Sequence, residues 1–93
     1  MAQNTTIFVP ANTWTQITNS AATAIRVQPL GDLSALLELQ ATVGEVPPTN
    51  SLGAVRISKP SYMKLNEIWV GVAGANRVYA RCDTAIEVSV SHD

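Results

Sequence analysis

Residues 77–93 alternate regularly between apolar and other side chains, and this alternation constrains the segment to an extended conformation. The apolar positions of one phase are Val78, Ala80, Cys82, Ile86, Val88 and Val90. A period of two is typical of a strand with one buried face and one face in water. The segment is therefore predicted to be a β-hairpin with its turn near Asp83 and Thr84.

Similar strand patterns, separated by turn residues, recur along most of the chain. Further strands are predicted at residues 5–9, 13–18, 24–28, 33–43, 54–58 and 63–70. About seven or eight short strands with frequent turn signals indicate an all-β fold, namely a small antiparallel β-sandwich that is jelly-roll-like or a partly open barrel. Because the chain has 93 residues, a single domain over residues 1–93 is expected.

Residues 33–43 are compatible with two kinds of secondary structure. A helix beginning after Asp32 would place several leucines at helical spacing. A strand would place Leu37, Leu39 and Ala41 on one face. The strand is favoured because it agrees with the strand pattern of the surrounding segments.

Two surface features are candidates for contact with another protein. Residues 44–53 contain two adjacent prolines and a glycine at each end, which favours an exposed loop, either a contact surface or a plain connector. The outward phase of strand 77–82 forms an Arg-Tyr-Arg stripe, which is either an interface or an ordinary exposed stripe. The candidate interface residues are Glu45, Val46, Pro47, Pro48, Thr49, Asn50, Arg77, Tyr79 and Arg81.

The residues needed for enzymatic chemistry are scarce. The only histidine, His92, is expected to be an exposed side chain near the chain end, and the only cysteine, Cys82, is expected to pack in the core. The acidic residues fall in turns or on outward faces, where solvated charges are the default. The chain is therefore predicted not to be an enzyme and to have no catalytic residue, cofactor or metal site; a small hydrolase or lyase on a β-barrel is the alternative.

The charge and hydropathy of the chain indicate which classes of binding partner to expect. The formal net charge is −1 and the basic residues are dispersed, so no nucleic-acid partner is expected. No apolar stretch approaches the length of a membrane span and the first residues do not resemble a signal peptide, so no membrane association is expected. Only 14% of residues are charged, which makes the surface less costly to bury and favours a homo-oligomer. A lone cysteine fits synthesis in a reducing cytosol.

Four segments resemble small virion proteins of tailed bacteriophages and prophages. They are Val-Pro-Ala-Asn-Thr-Trp-Thr-Gln-Ile at residues 9–17, Pro-Pro-Thr-Asn-Ser-Leu-Gly-Ala at 47–54, Arg-Val-Tyr-Ala-Arg-Cys-Asp at 77–83 and Val-Ser-Val-Ser-His at 88–92. Cys82 stands where serine would be expected in such proteins.

The resemblance implies a β-sandwich structural protein, made in the host cytoplasm and built into the virion. Its expected function is capsid decoration: the protein would bind the assembled head, through the major capsid protein or other virion proteins, and stabilise it as a homo-oligomer, with a trimer favoured. The alternative is a tail, fibre or spike component that contacts the host receptor or another tail protein. In that case the loops at residues 45–52 and 71–76 are the expected contact sites.

Overall fold

The computed structural model describes residues 3–30, 37–49 and 53–93. These residues form eight β-strands and one helical turn. The elements are β1 (Gln3–Val9), β2 (Thr15–Gln16), β3 (Ala24–Leu30), β4 (Leu37–Thr42), β5 (Val55–Ile57), β6 (Ser61–Lys64), α1 (Leu65–Ile68), β7 (Arg77–Arg81) and β8 (Ile86–His92).

The strands form two four-stranded antiparallel sheets. One sheet has the order β1-β8-β3-β6, hereafter sheet 1, and the other has the order β2-β7-β4-β5, hereafter sheet 2. The pairs are nested, since β1 pairs with β8, β2 with β7, β3 with β6 and β4 with β5. This is the strand order of a jelly roll, in which one long antiparallel ribbon is wrapped into a sandwich. The predicted small β-sandwich is confirmed.

The core lies between the two sheets and consists of the side chains that the strands of both sheets direct inward. Val88 and Val90 of β8 are fully buried while Glu87 is exposed, and Val78 and Ala80 of β7 meet them from sheet 2. In β4 the alternating apolar residues are buried as the strand interpretation predicted. Residues 33–36 of that prediction lie outside the described residues.

The predicted hairpin over residues 77–93 is wrong in its pairing. Strand β7 belongs to sheet 2 and β8 to sheet 1, so the connection at residues 82–85 crosses from one sheet to the other. Both strands direct their apolar residues into the same core, and a hairpin would show the same alternation. Cys82 is buried in the crossing, as predicted, and its carbonyl accepts a hydrogen bond from the N–H of Asn12 at 2.7 Å.

Two further predictions differ from the structure. The strand predicted at residues 63–70 ends at Lys64 and is followed by α1, in which the N–H of Trp69 donates to the carbonyl of Leu65 at 2.9 Å. This turn buries both side chains, which explains the irregular alternation. Strand β3 also continues through Pro29, because there it pairs only with β8 and β6 pairs only with the first half of β3.

Core packing predicts different costs for the same substitution at two leucines. Leu39 of β4 is fully buried, whereas Leu30 at the end of β3 is exposed. Leu39→Ala is expected to lower the free energy of unfolding by about 2–5 kcal/mol because it removes buried methyl groups and leaves a cavity. Leu30→Ala is expected to change it by less than about 0.5 kcal/mol. Equilibrium denaturation in urea checks both values, and equal losses would contradict the assignment of the core.

Candidate functional site

The Arg-Tyr-Arg stripe of β7 lies on the outer face of sheet 2, away from the core. The prediction that this stripe faces solvent is wrong at its centre, because Tyr79 is only 4% exposed. Its neighbours across the sheet are Gln16 and Gln40, and its hydroxyl donates to Oε1 of Gln16 at 3.0 Å. Arg77 and Arg81 are half-buried. A large aromatic ring flanked by long polar side chains is thus part of a packed outer layer.

The loop that begins at Gly44 influences the ionisation of the Tyr79 phenol. Burial raises the pKa of the Tyr79 hydroxyl above its ordinary value, and the carboxylate of Glu45 raises it further, while the guanidinium of Arg77 partly opposes both. The loop that contains Glu45 begins beside the start of β7, since Thr42 lies opposite Arg77 and the N–H of Gly44 donates to Oδ1 of Asn76. The structure brings together members of the two predicted candidate groups.

At the other end of the stripe, Arg81 forms an ion pair with Glu38 of β4. Nη1 of Arg81 donates to Oε1 of Glu38 at 2.9 Å, and Nη2 donates to Oδ1 of Asn12 at 3.1 Å. The guanidinium of Arg56 lies 3.8 Å from the second carboxylate oxygen of Glu38. Glu38 points outward as predicted, but it is only 8% exposed, so the expectation of a solvated charge is wrong.

Removal of Arg81 is expected to destabilise the protein. Loss of one partner of a buried ion pair costs about 3–5 kcal/mol, and we expect about 2–3 kcal/mol for Arg81→Ala because Arg81 is partly solvated and Arg56 remains nearby. Lys64→Ala, which breaks the exposed pair between Lys64 and Glu67, is the control and should cost less than about 0.5 kcal/mol.

The double replacement Glu38→Met with Arg81→Met tests whether the pair is structural. Apolar side chains of similar volume often replace a buried ion pair at little net cost, so the double variant should lose less stability than Arg81→Ala alone. Urea denaturation gives all three values. A double variant that is less stable than the single one would contradict this account.

The loop after β4 is exposed in its described part. Glu45, Val46, Pro47 and Thr49 are exposed and Pro48 is half-buried, whereas Asn50 lies outside the described residues. Gly44 and Gly53 adopt positive φ angles of 74° and 79°, which glycine tolerates readily. The expectation of an exposed loop therefore holds for residues 44–49 and 53.

Asn76 joins this loop to the second small-residue loop at residues 71–76. Its side-chain Oδ1 accepts a hydrogen bond from the N–H of Gly44 at 2.8 Å, and its backbone N–H donates to the carbonyl of Thr42 at 3.0 Å. Its carbonyl accepts from the N–H of Ala22, also at 3.0 Å. Three loops are thus held at one end of the sandwich by a single residue that sequence analysis missed, because no local pattern marks such long-range contacts.

His92 has a structural role, and the prediction that it is exposed is wrong. The ring is buried, Nδ1 lies 2.8 Å from the carbonyl oxygen of Asp93, and the backbone N–H of Asn19 donates to Nε2 at 3.3 Å. In this arrangement Nδ1 carries the hydrogen and donates to that carbonyl, while Nε2 accepts. The pairing of β8 on both sides, with β1 and with β3, explains why the segment is ordered up to this residue.

The side chain of Asp93 closes the loop before β3. Its carboxylate accepts hydrogen bonds from the hydroxyl of Thr23, from the N–H of Thr23 at 2.9 Å and from the N–H of Ala24 at 3.2 Å. These bonds favour the charged form and lower the pKa of Asp93 to about 2, with the Thr23 hydroxyl as the largest cause.

This carboxylate predicts a pH dependence of stability. Because the pKa in the folded state is about 2 and the ordinary value is 3.8, the contribution of Asp93 is complete above about pH 4 and is lost as the pH falls towards 2. Asp93→Asn should remove this part of the pH dependence of the melting temperature. Thr23→Val should return the pKa of Asp93 towards 3.8 in a carboxyl NMR titration, and an unchanged titration would contradict the assignment.

The described residues contain no cluster of three or more histidine, cysteine, aspartate or glutamate side chains arranged to hold a metal ion. None of the helical structure in the same residues is long and apolar enough to cross a membrane. Comparison of the chain with protein-family models, with curated proteins and with solved structures gives no match.

Proposed function

We propose that this chain is a virion structural protein of a tailed bacteriophage or prophage and that it decorates the capsid. The observation that carries the proposal is a set of exposed valines on the two segments that lead to Asn76 and Gly44. Val43, Val46 and Val70 are 54%, 63% and 81% exposed. We call residues 43–49 and 70–76 the valine end of the sandwich.

The valine end has the composition of a surface that binds another protein. Its only charged residue is Glu45, so few ions must be desolvated when it is covered. Its two segments are held together through the hydrogen bonds of Asn76 with Thr42 and Gly44, which reduces the entropy lost when a partner orders them. Exposed valines on pre-ordered loops offer a partner apolar area that can be buried at low cost.

The fold and the sequence motifs support a virion as the setting of this interaction. Jelly rolls occur in viral capsid domains, although they also occur in lectins and cupins, so the fold does not itself assign the function. The resemblance of the motifs at residues 9–17, 47–54 and 77–83 to small phage virion proteins favours a virion protein, and the small size and low charge of the chain suit capsid decoration. A decoration protein would act by mass action, because binding only to the assembled and expanded shell stabilises that state.

The proposal is tested with expanded and unexpanded shells of the major capsid protein encoded in the same phage or prophage. Purified protein is mixed with each shell, and bound protein is quantified after sedimentation. We expect binding to expanded shells, weakened at least about tenfold by Val46→Asp and by Val70→Asp, because each places a charge on the valine end.

Ala85→Asp is the matched control, since Ala85 is exposed and follows the opposite end of β7 from Asn76. It should bind expanded shells like the unmodified protein, and circular dichroism verifies that all three variants are folded. Binding to isolated tails and not to shells would reject capsid decoration and favour the tail, fibre or spike alternative. Equal binding by Val46→Asp, Val70→Asp and Ala85→Asp would reject the valine end as the contact site.

A further inference from the structure

We propose that the free edge of β1 pairs antiparallel with β1 of a second copy of this chain. The two strands would meet around a twofold axis at Thr6, and the two copies of sheet 1 would become one continuous eight-stranded sheet. The inference rests on the strand edges of the sandwich and does not depend on the proposed function.

The four edge strands of the sandwich differ in how well they are protected against pairing. In sheet 2, β2 has two residues, and β5 has three with Arg56 at its centre. In sheet 1, β6 has four residues and ends at Lys64, where α1 begins. Short length and charged side chains are common means by which sheets avoid edge-to-edge pairing.

Strand β1 has neither kind of protection. It has seven residues, Gln3–Val9, and contains no charged residue and no proline. Every residue of β1 pairs with β8 on one side, and no other described strand pairs with it on the other side. The side chain of Phe8 on its outer face is 58% exposed. Within the described part of the chain, an edge this long and neutral presents backbone donors and acceptors that a further strand can pair with.

The charge pattern and the length of β1 favour a second copy as the occupant. Antiparallel pairing of β1 with itself over its full length places Thr6 opposite Thr6 and Asn4 opposite Phe8, and brings no like charges together. Threonine pairs directly across an antiparallel ladder are favourable. A twofold arrangement also uses the same surface on both copies, as in most homodimers.

A head-to-tail arrangement, with β1 of one copy against β6 of the next, would pair fewer residues. Strand β6 has only four residues and is followed directly by α1, so at most four of the seven residues of β1 would find a partner. The twofold pairing uses all seven residues, which is why the geometry favours a dimer at this edge over a closed ring.

The molecular mass of the protein in solution tests the proposal, because it distinguishes a monomer from a dimer. Sedimentation equilibrium over a range of concentrations should show a monomer–dimer equilibrium. Thr6→Lys should raise the dissociation constant about fivefold or more, because it places two positive charges opposite each other on the axis. Ser89→Lys is the matched control: it adds the same charge one strand away, where the two copies of residue 89 are separated by roughly 14 Å and screened by salt. It should leave the dissociation constant unchanged.

Cysteine cross-linking tests the register independently of stability. Thr6→Cys should form a disulfide-linked dimer on mild oxidation, since facing residues in a ladder are close enough for a disulfide. Asn4→Cys alone and Phe8→Cys alone should not, because each residue is offset from its own copy by about 13 Å along the strand. A mixture of those two variants should cross-link. Cys82 is buried and does not compete.

The outcomes are decisive in both directions. A dimer weakened by Thr6→Lys and not by Ser89→Lys, with this pattern of cross-links, supports the pairing. A protein that stays monomeric at all concentrations overturns it, as does a trimer unaffected by Thr6→Lys. Cross-linking of Phe8→Cys alone, as efficient as that of Thr6→Cys, would overturn the register. Circular dichroism of each variant excludes misfolding as the cause.

Discussion

The structure depends on the burial of every second side chain between two sheets. Fully buried residues such as Val88 in sheet 1 and Leu39 in sheet 2 meet in one core, and this contact gives a chain of 93 residues most of the apolar burial available to it. The nested pairing of the strands arranges the two sheets so that each strand presents one face to the core and one face outward. The side chains of the loops and of the outer faces of the sheets are not subject to this constraint and can differ more freely.

The outer faces of the two sheets use this freedom differently. Sheet 2 carries a packed polar layer in which Tyr79 bonds Gln16 and Arg81 bonds Glu38, so its centre is shielded from water. On the outer face of sheet 1, Arg26, Tyr62 and Glu87 are exposed, and the long strand β1 lies at its edge. The proposed contact with a shell uses loops next to β4 and β7 of sheet 2, whereas the proposed contact between copies uses the β1 edge of sheet 1.

The sequence was sufficient to predict the all-β class, the number of strands and the buried phase of most strands, because a period of two reports directly which side chains face the core. The sequence was insufficient to predict which strands pair with each other and which sheet each strand joins. Strands β7 and β8 showed the alternation of a hairpin, but the same pattern suits two strands in opposite sheets. The burial of Tyr79 and Glu38 also depends on neighbours more than twenty residues away, and the role of His92 depends on Asn19. Such contacts leave no local signal.

The position of β8 between β1 and β3 has a consequence for how the protein is made. Residues 86–92 emerge from the ribosome after the other seven described strands, yet they form an inner strand of sheet 1. Until they are released, the opening strand of the chain has no neighbour in its own sheet. Sheet 1 can therefore form only after these residues have been translated. In a nascent chain that stops before residue 86, β1 lacks its partner β8 and is exposed to pairing with other chains.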